Sequence, residues 1–508
     1  MPFKALNNRE KDKAEYSYII YSHITNHLNS AVKTKRSQSA LEYMMTYGWA
    51  ILIIVIVAVI LYSMGIFNPS SSITFTSSGF SPFTVSSSLC NNIGYKIAVL
   101  AGPIPNNANS LTINKVYLTS ATGANTTTAS YTLTNPVTLK SGQSATILIP
   151  NVACNSANTH YSLSAKIQYS YTASTLGLQN VNTTGTVAGT SITGKPSTLT
   201  SYEPITITNT QSSATPSPFQ QMINFTSSDP GFSSIATGNF GQNVEFFYYN
   251  GTVIPSWLEN YTSTNAIWWL KIAAIPGGSS ETVYVGFAPI SANLFNTVND
   301  GEAPQIPCGS TPTSSCSNYA EYDDGANVFN FYNNFAGDNL NKVWITHNVN
   351  YQILNGLNVT ETPSNSGWIY ANFKITINNL IGFYGEFGGY YNVGTSYQQS
   401  FDGIFFQCSD GTCHGQEQNP HGDIGTANVQ SATNSYYFIE VKNSTSSSYF
   451  QNQNYVGLLT MSDLIFPLNL TAFITNGAVN ANFYMNYIFS STSLINGVMP
   501  SVSFGSIA

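Results

Sequence analysis

The stretch CSDGTCHGQEQNPHGD, residues 408–423, gathers the side chains of this sequence best suited to holding a metal: Cys408, Asp410, Cys413, His414, His421 and Asp423. Thiolate, imidazole and carboxylate are the ligands zinc takes. The same spacing also reads as a hairpin, with Asp410-Gly411 as a two-residue turn, Ser409 and Thr412 flanking it, and Cys408 opposite Cys413. The cysteines then form a non-hydrogen-bonded pair, whose short Cα separation suits a cross-strand disulfide. That reading accounts for the spacing better, so a disulfide is expected here, with no metal and no other cofactor.

Carboxylates are the second candidates. Glycoside hydrolysis needs two of them about 5–10 Å apart across the sugar bond. Glu321 and Asp323 in EYDDG have an i, i+2 spacing that would share one face of a strand, but they lie in a polar linker. Glu386 in FYGEFGGYY and Glu440 in YYFIEVK sit among aromatics on expected strands, where a sugar could stack. No paired motif joins them, so no catalytic residue and no enzyme is expected. An anchored glycosidase is the alternative. The clusters FFYYN, IWWLK and FYGEFGGYY offer stacking surfaces, although aromatic strands more often build cores.

The elements that must position these residues are strands. Tyr161, Leu163, Ala165, Ile167, Tyr169 and Tyr171 alternate with Ser162, Ser164, Lys166, Gln168, Ser170 and Thr172, a strand with one buried face. PITIT at 204–208 and NFKITIN at 372–378 repeat that period. Of the 508 residues 13% are aromatic and only 8% charged, which favours packed β modules and excludes a nucleic-acid partner. From Tyr43 to Tyr202 there are five lysines and no acid, whereas from Glu203 onward there are nineteen acids and four lysines. Two separately composed regions therefore meet near residue 200, within GTSITGKPSTLTSY.

Ahead of them lies a different element. Residues 43–67 are 25 positions without a charge, about 37 Å of helix and long enough to span a bilayer. Lys33, Lys35 and Arg36 precede the run and no basic residue follows before Lys96. The positive-inside rule then puts the N-terminus in the cytoplasm and the bulk of the chain outside the cell membrane. All six cysteines (Cys90, Cys154, Cys308, Cys316, Cys408, Cys413) follow the run, as disulfides in an oxidising exterior would. So do eight Asn-x-Ser/Thr sequons, at Asn125, Asn182, Asn224, Asn250, Asn260, Asn358, Asn443 and Asn469. Cys308 and Cys316 are expected to close a small loop in a Pro/Ser-rich linker.

Residues 36–42, RSQSALE, resemble the class III signal peptide of archaeal type IV pilin-like surface proteins. The resemblance implies cleavage between Ser37 and Gln38 by a prepilin-peptidase-like enzyme, which leaves Glu42 as the fifth residue of the mature chain. It also implies that Glu42 assists assembly with other pilin-like subunits. An acid at the edge of a hydrocarbon layer is costly enough to need such a partner.

The segments LCNNIGYKIAV, LKSGQSATILIP and ACNSANTHYSLSAKIQYSYT resemble the β-sandwich head that follows such helices. Cys90 and Cys154 stand near the ends of that pattern and are expected to bridge. From Glu203 the chain resembles a surface domain of unknown function, through EPITITNT, QNVEFFYYNGTVIPSWLENY and AIWWLKIAAIPGGSSETVYVGFAP. FNFYNNFAGDNLNKVW and the closing SVSFG are similar to the first and last parts of a concanavalin- or laminin-G-like jelly roll. Asn243, Asn333 and Asn334 stand where that family usually has acids.

The expectation is thus a mainly β chain with one N-terminal transmembrane helix and three β modules. Its parts are a cytoplasmic leader over 1–37, a helix over 38–67, a pilin-head-like sandwich over 68–200, a second sandwich over 201–305, and a linker with jelly roll over 306–508. Such a protein is membrane-anchored at the cell surface and serves adhesion or envelope and filament assembly, with surface glycans as a ligand the jelly roll could take.

Overall fold

The computed structural model describes residues 47–57 and 75–508, except for the short stretches 106–107, 127–129, 151, 155, 237–240, 309–315, 338, 362–365, 398–399, 410–411, 429, 432–434 and 476–481. Ser37, Gln38 and Glu42 lie outside the described residues. Residues 47–57 are helical, and among the described residues no helix is long and apolar enough to cross a membrane. Beyond it the described chain is mainly β structure with a few short helical turns, in two compact units, residues 1–90 with 94–191 and residues 91–93 with 192–508.

The first unit contains β1 (Thr76–Gly79), β2 (Phe83–Cys90), β3 (Tyr95–Ala101), β4 (Leu111–Thr122), β5 (Asn125–Thr126), β6 (Ser130–Leu139), β7 (Ser144–Ile149), β8 (Val152–Ala153), β9 (His160–Ala173) and β10 (Gly177–Thr190). A sheet ordered β1-β10-β9-β4-β6 faces a smaller one, β2-β3-β7. Period two works as read: Tyr161, Leu163, Ala165, Ile167 and Tyr169 on β9 all enter the core. Cys90 and Cys154 are bonded, with Cα atoms 5.6 Å apart, and close a separation of 64 residues.

The second unit opens with β11 (Ser201–Asn209), β12 (Phe219–Thr226), β13 (Val244–Phe247), β14 (Ser256–Tyr261), β15 (Asn265–Ile272), β16 (Ser279–Phe287) and β17 (Asp300–Glu302). These form a sandwich of β13-β16-β11 against β12-β15-β14-β17. A jelly roll follows: β18 (Phe331–Asn333), β19 (Trp344–His347), β20 (Asn350–Ile353), β21 (Leu357–Glu361), β22 (Gly367–Ile375), β23 (Asn379–Gly388), β24 (Tyr391–Ser396), β25 (Gly403–Ser409) and β26 (Thr412–Gln418). It continues through β27 (Ile424–Thr426), β28 (Gln430–Ser431), β29 (Ser435–Asn443), β30 (Ser446–Gln451), β31 (Asn454–Thr460), β32 (Leu468–Thr475) and β33 (Asn482–Ser491). One sheet runs β20-β21-β33-β23-β29-β30-β31 and the other β19-β22-β32-β24-β25-β26-β27.

The closing SVSFG corrects one expectation. Ser501–Phe504, the last strand β34, does not end the jelly roll but pairs antiparallel with β11, Ile205 opposite Phe504, and so returns to the preceding sandwich. A four-residue strand names no partner by its own pattern; the partner is chosen by the long-range core, where Phe504 lies 4.5 Å from the Phe225 ring.

The return strand matches a larger fact: the sandwich and the jelly roll share a core. Trp257 and Trp269, opposite one another on β14 and β15, pack with Phe329, Leu380, Tyr384, Phe438, Tyr487 and Phe489. A Cβ on Gly382 would stand 2.3 Å from the Phe489 ring, so β23 needs glycine there.

Candidate functional site

Cys408 and Cys413 are opposed on β25 and β26 and bonded, with Cα atoms 4.1 Å apart, the close approach of a non-hydrogen-bonded pair. Their sulfurs are therefore unavailable to a metal. Asp410 lies outside the described residues. His421 and Asp423 sit in a loop organised by Asn419, whose Oδ1 accepts from both of their backbone amides. Cys308 and Cys316 are also bonded.

The carboxylates do not pair. Leu380 is opposite Glu440 on the β23–β29 ladder, and Glu386 lies six residues further along β23, which separates the two acids by about 20 Å along the strands. That is well beyond glycosidase spacing. Glu440 lies 3.7 Å from Lys442. Glu321 and Asp323 fall in a turn rather than on a strand. Glu321 is exposed, while the Asp323 carboxylate accepts from Trp257 Nε1 (2.9 Å), Tyr332 OH (2.7 Å), Asn334 Nδ2 (2.7 Å) and the Gly325 amide (3.0 Å). It is a structural knot, with its pKa still raised by burial. The other asparagines singled out in the sequence are structural too. Asn243 Oδ1 accepts from Ala236, Asn243 Nδ2 donates to Ser234 and Ala288, and Asn333 Oδ1 accepts from the Phe335 amide.

The sequons divide by exposure. Asn125, Asn182, Asn250 and Asn443 are exposed; Asn224, Asn260 and Asn358 are half-buried. Asn469 is corrected as a glycosylation candidate: it is 4% exposed, and its Oδ1 accepts from Lys374 Nζ, so the folded chain does not present it.

No local motif marks the most suggestive surface. The sheet containing β24 turns Ile369, Ala371, Tyr391, Val393, Phe406, Cys408 and Cys413 into the core. Alternation then places the residues between them on its outer face. Register aligns six of these side chains in one row: His347 opposite Trp368, Trp368 opposite Ile474, Ile474 opposite Asn392, Asn392 opposite Gln407, and Gln407 opposite His414. A bulge at Ala472 puts Phe473 into the core and Ile474 out onto the row. Five strand spacings make the row about 24 Å long.

Its chemistry is amphipathic. The His347 imidazole stacks on Trp368 with ring centroids 4.3 Å apart. Gln407 Nε2 donates to the Tyr390 hydroxyl at 2.9 Å, and Tyr390 is 40% exposed. Asn392 is 1% exposed, yet neither its Oδ1 nor its Nδ2 has a partner, and the shielded Trp368 Nε1 also lacks one. Burial lowers the His414 pKa, so neutral imidazole is favoured at the end of the row. Beside the row, Ser396 and Thr471 hydroxyls bond at 2.8 Å and continue the polar face. Flat rings next to amide and imidazole groups suit a ligand with apolar faces and many hydroxyls.

No family model matches the chain. A stretch of 141 residues, 27% of this chain, is 33% identical to the uncharacterised protein 562 of Sulfolobus islandicus rod-shaped virus 1. The match spans 22% of that protein's length. Solved structures similar in part include the carbohydrate recognition domain of Emp47p, at 10% identity and TM-score 0.25 over 31% of this chain and 92% of that one. They include the ligand-binding domain of botulinum neurotoxin serotype D, in complex with N-acetylneuraminic acid, at 12% identity and TM-score 0.22 over 33% of this chain and 43% of that one. Porphyranase B from Zobellia galactanivorans matches at 9% identity and TM-score 0.20, over 31% of this chain and 91% of that one. Likeness at this level carries no assignment of ligand or activity.

Proposed function

We propose that this chain is a non-enzymatic surface adhesin that binds glycans on the outer face of the jelly-roll sheet containing β24. The reading rests on the row from His347 to His414, where a stacked aromatic pair stands two strand spacings, about 10 Å, from a buried amide with both ends unpaired. Leaving such an amide without partners costs about 1–3 kcal/mol. A ligand hydroxyl that supplies them recovers part of that cost on binding. Sugar rings stack on Trp368 and His347 while hydroxyls bond to Gln407 and His414; Asn392 and Ile474 are 1% exposed, so the amide is reached only when its cover opens. Residues 38–67 anchor the chain after pilin-like processing before Gln38, and the cystine-linked β units face outward from the cell membrane.

The test is binding of the full chain and of Trp368→Ala to a glycan array. Retention of at least one glycan by the wild type, weakened tenfold or more in Trp368→Ala while its stability falls by less than about 1.5 kcal/mol, is the expected result. No retained glycan, or equal binding by the variant, rejects the reading.

A further inference from the structure

The joint between the sandwich and the jelly roll contains carboxyl groups in a setting unlike the glycan row. Asp300 and Glu302 lie on β17, which pairs parallel with β14, and Asp324 precedes the short helix Gly325–Val328 that carries the chain into the shared core. The three are 3%, 2% and 2% exposed. Both oxygens of Asp324 lack a partner, and its Oδ1 packs so closely on β17 that a Cβ at Gly301 would stand 2.0 Å away.

The groups facing them are acids or neutral donors. Asp324 faces Asp323 from its own segment and Asp300 from β17. Asp300 faces Glu245 of β13 and takes only long bonds from Ser256 Oγ (3.3 Å) and Asn296 Nδ2 (3.4 Å). Glu302 faces Glu321 and Asp323. None of the three forms an ion pair within 4 Å. The lysine of β15, Lys271, gives its ammonium to the Asn327 carbonyl at 2.7 Å.

We infer that this joint is a proton-dependent latch, closed while Asp300, Glu302 and Asp324 carry protons and loosened when they ionise. A dry carboxylate without a cation is expensive, and several in mutual contact repel, so the closed joint favours the neutral acids. Burial accordingly pushes Asp300 and Glu302 up to about 8 and Asp324 to about 9. These values exceed the unfolded carboxyl range near 4, so the closed state holds more protons than the open one between about pH 4 and pH 9. Closure is therefore strongest in acid and weakens as pH rises, by up to tenfold per pH unit for each proton released.

Hydrogen exchange of the full chain in EDTA tests this, read as the protection factor of amides 320–330, which divides out the intrinsic base catalysis of exchange. The wild type should lose protection at least tenfold between pH 5 and pH 9, and the triple variant Asp300→Asn/Glu302→Gln/Asp324→Asn less than threefold. Should the triple variant fail to fold at pH 5, Asp324→Asn alone should lose at least tenfold less protection than the wild type over the same range. A flat wild-type profile overturns the latch, as does a variant that falls as steeply as the wild type. Loss of glycan binding by Trp368→Ala moves neither profile, so the two readings fail independently.

Discussion

The two sheets of the jelly roll present opposite outer faces. One turns Leu380, Tyr384, Phe438, Tyr487 and Phe489 onto the tryptophans of the neighbouring sandwich, an apolar contact completed within the chain. The other turns out His347, Trp368, Asn392, Gln407 and His414, with an unpaired amide in its middle. The covered face also holds a buried carboxyl group with two partners: Glu259 accepts from Trp269 Nε1 (2.8 Å) and Tyr487 OH (2.7 Å), while burial lifts its pKa to about 7. The difference teaches that composition separates the two faces: the covered one closes over tryptophan, tyrosine and phenylalanine rings, whereas the other carries amide and imidazole groups in register across its strands.

The largest effect should come from breaking the covered face. Trp269→Ala removes a fully buried ring and strands Glu259, and should cost about 3–5 kcal/mol in urea unfolding. The same change made as Trp368→Ala on the other face should cost under about 1.5 kcal/mol, because that ring is only half-buried. Equal costs would erase the distinction between the faces.

Next in size is the Cys408–Cys413 bridge, which lies on the core side of the strands whose other side carries Gln407 and His414. Cys408→Ser/Cys413→Ser should lower stability by about 2 kcal/mol, measured under non-reducing conditions. Asn392→Leu separates stability from recognition most sharply. It removes an unpaired buried amide, so stability should hold or rise by up to about 1 kcal/mol. Glycan retention should meanwhile fall tenfold or more, a difference of about 1.4 kcal/mol. The smallest effect belongs to Lys442→Ala: it breaks a surface ion pair and should change the urea midpoint by less than about 0.5 kcal/mol equivalent.

Local signals in the sequence account for much of the fold. Alternation from Tyr161 to Thr172 gave β9 and its buried side, and Asp410-Gly411 between two cysteines gave the register of β25 and β26. The charge change near Glu203 lies close to the division between the compact units at 191–192. The proposed binding face was not legible, since its row takes one residue from each of six strands spread from His347 to Ile474. Strand order and a bulge at Ala472 decide which residues meet there, and neither is encoded locally. A faint signal was present in YNVGTS and GIFFQCS, where Asn392 and Gln407 interrupt apolar strands. EYDDG was rightly set aside as a linker rather than a strand, but nothing local showed that Asp323 would accept four hydrogen bonds there.

The most direct measurement is hydrogen exchange of the full chain with and without a glycan retained on the array. Protection confined to β22, β24, β25 and β26, around Trp368, Asn392, Gln407 and His414, is the predicted result. Protection elsewhere, with these strands unchanged, would contradict the central claim.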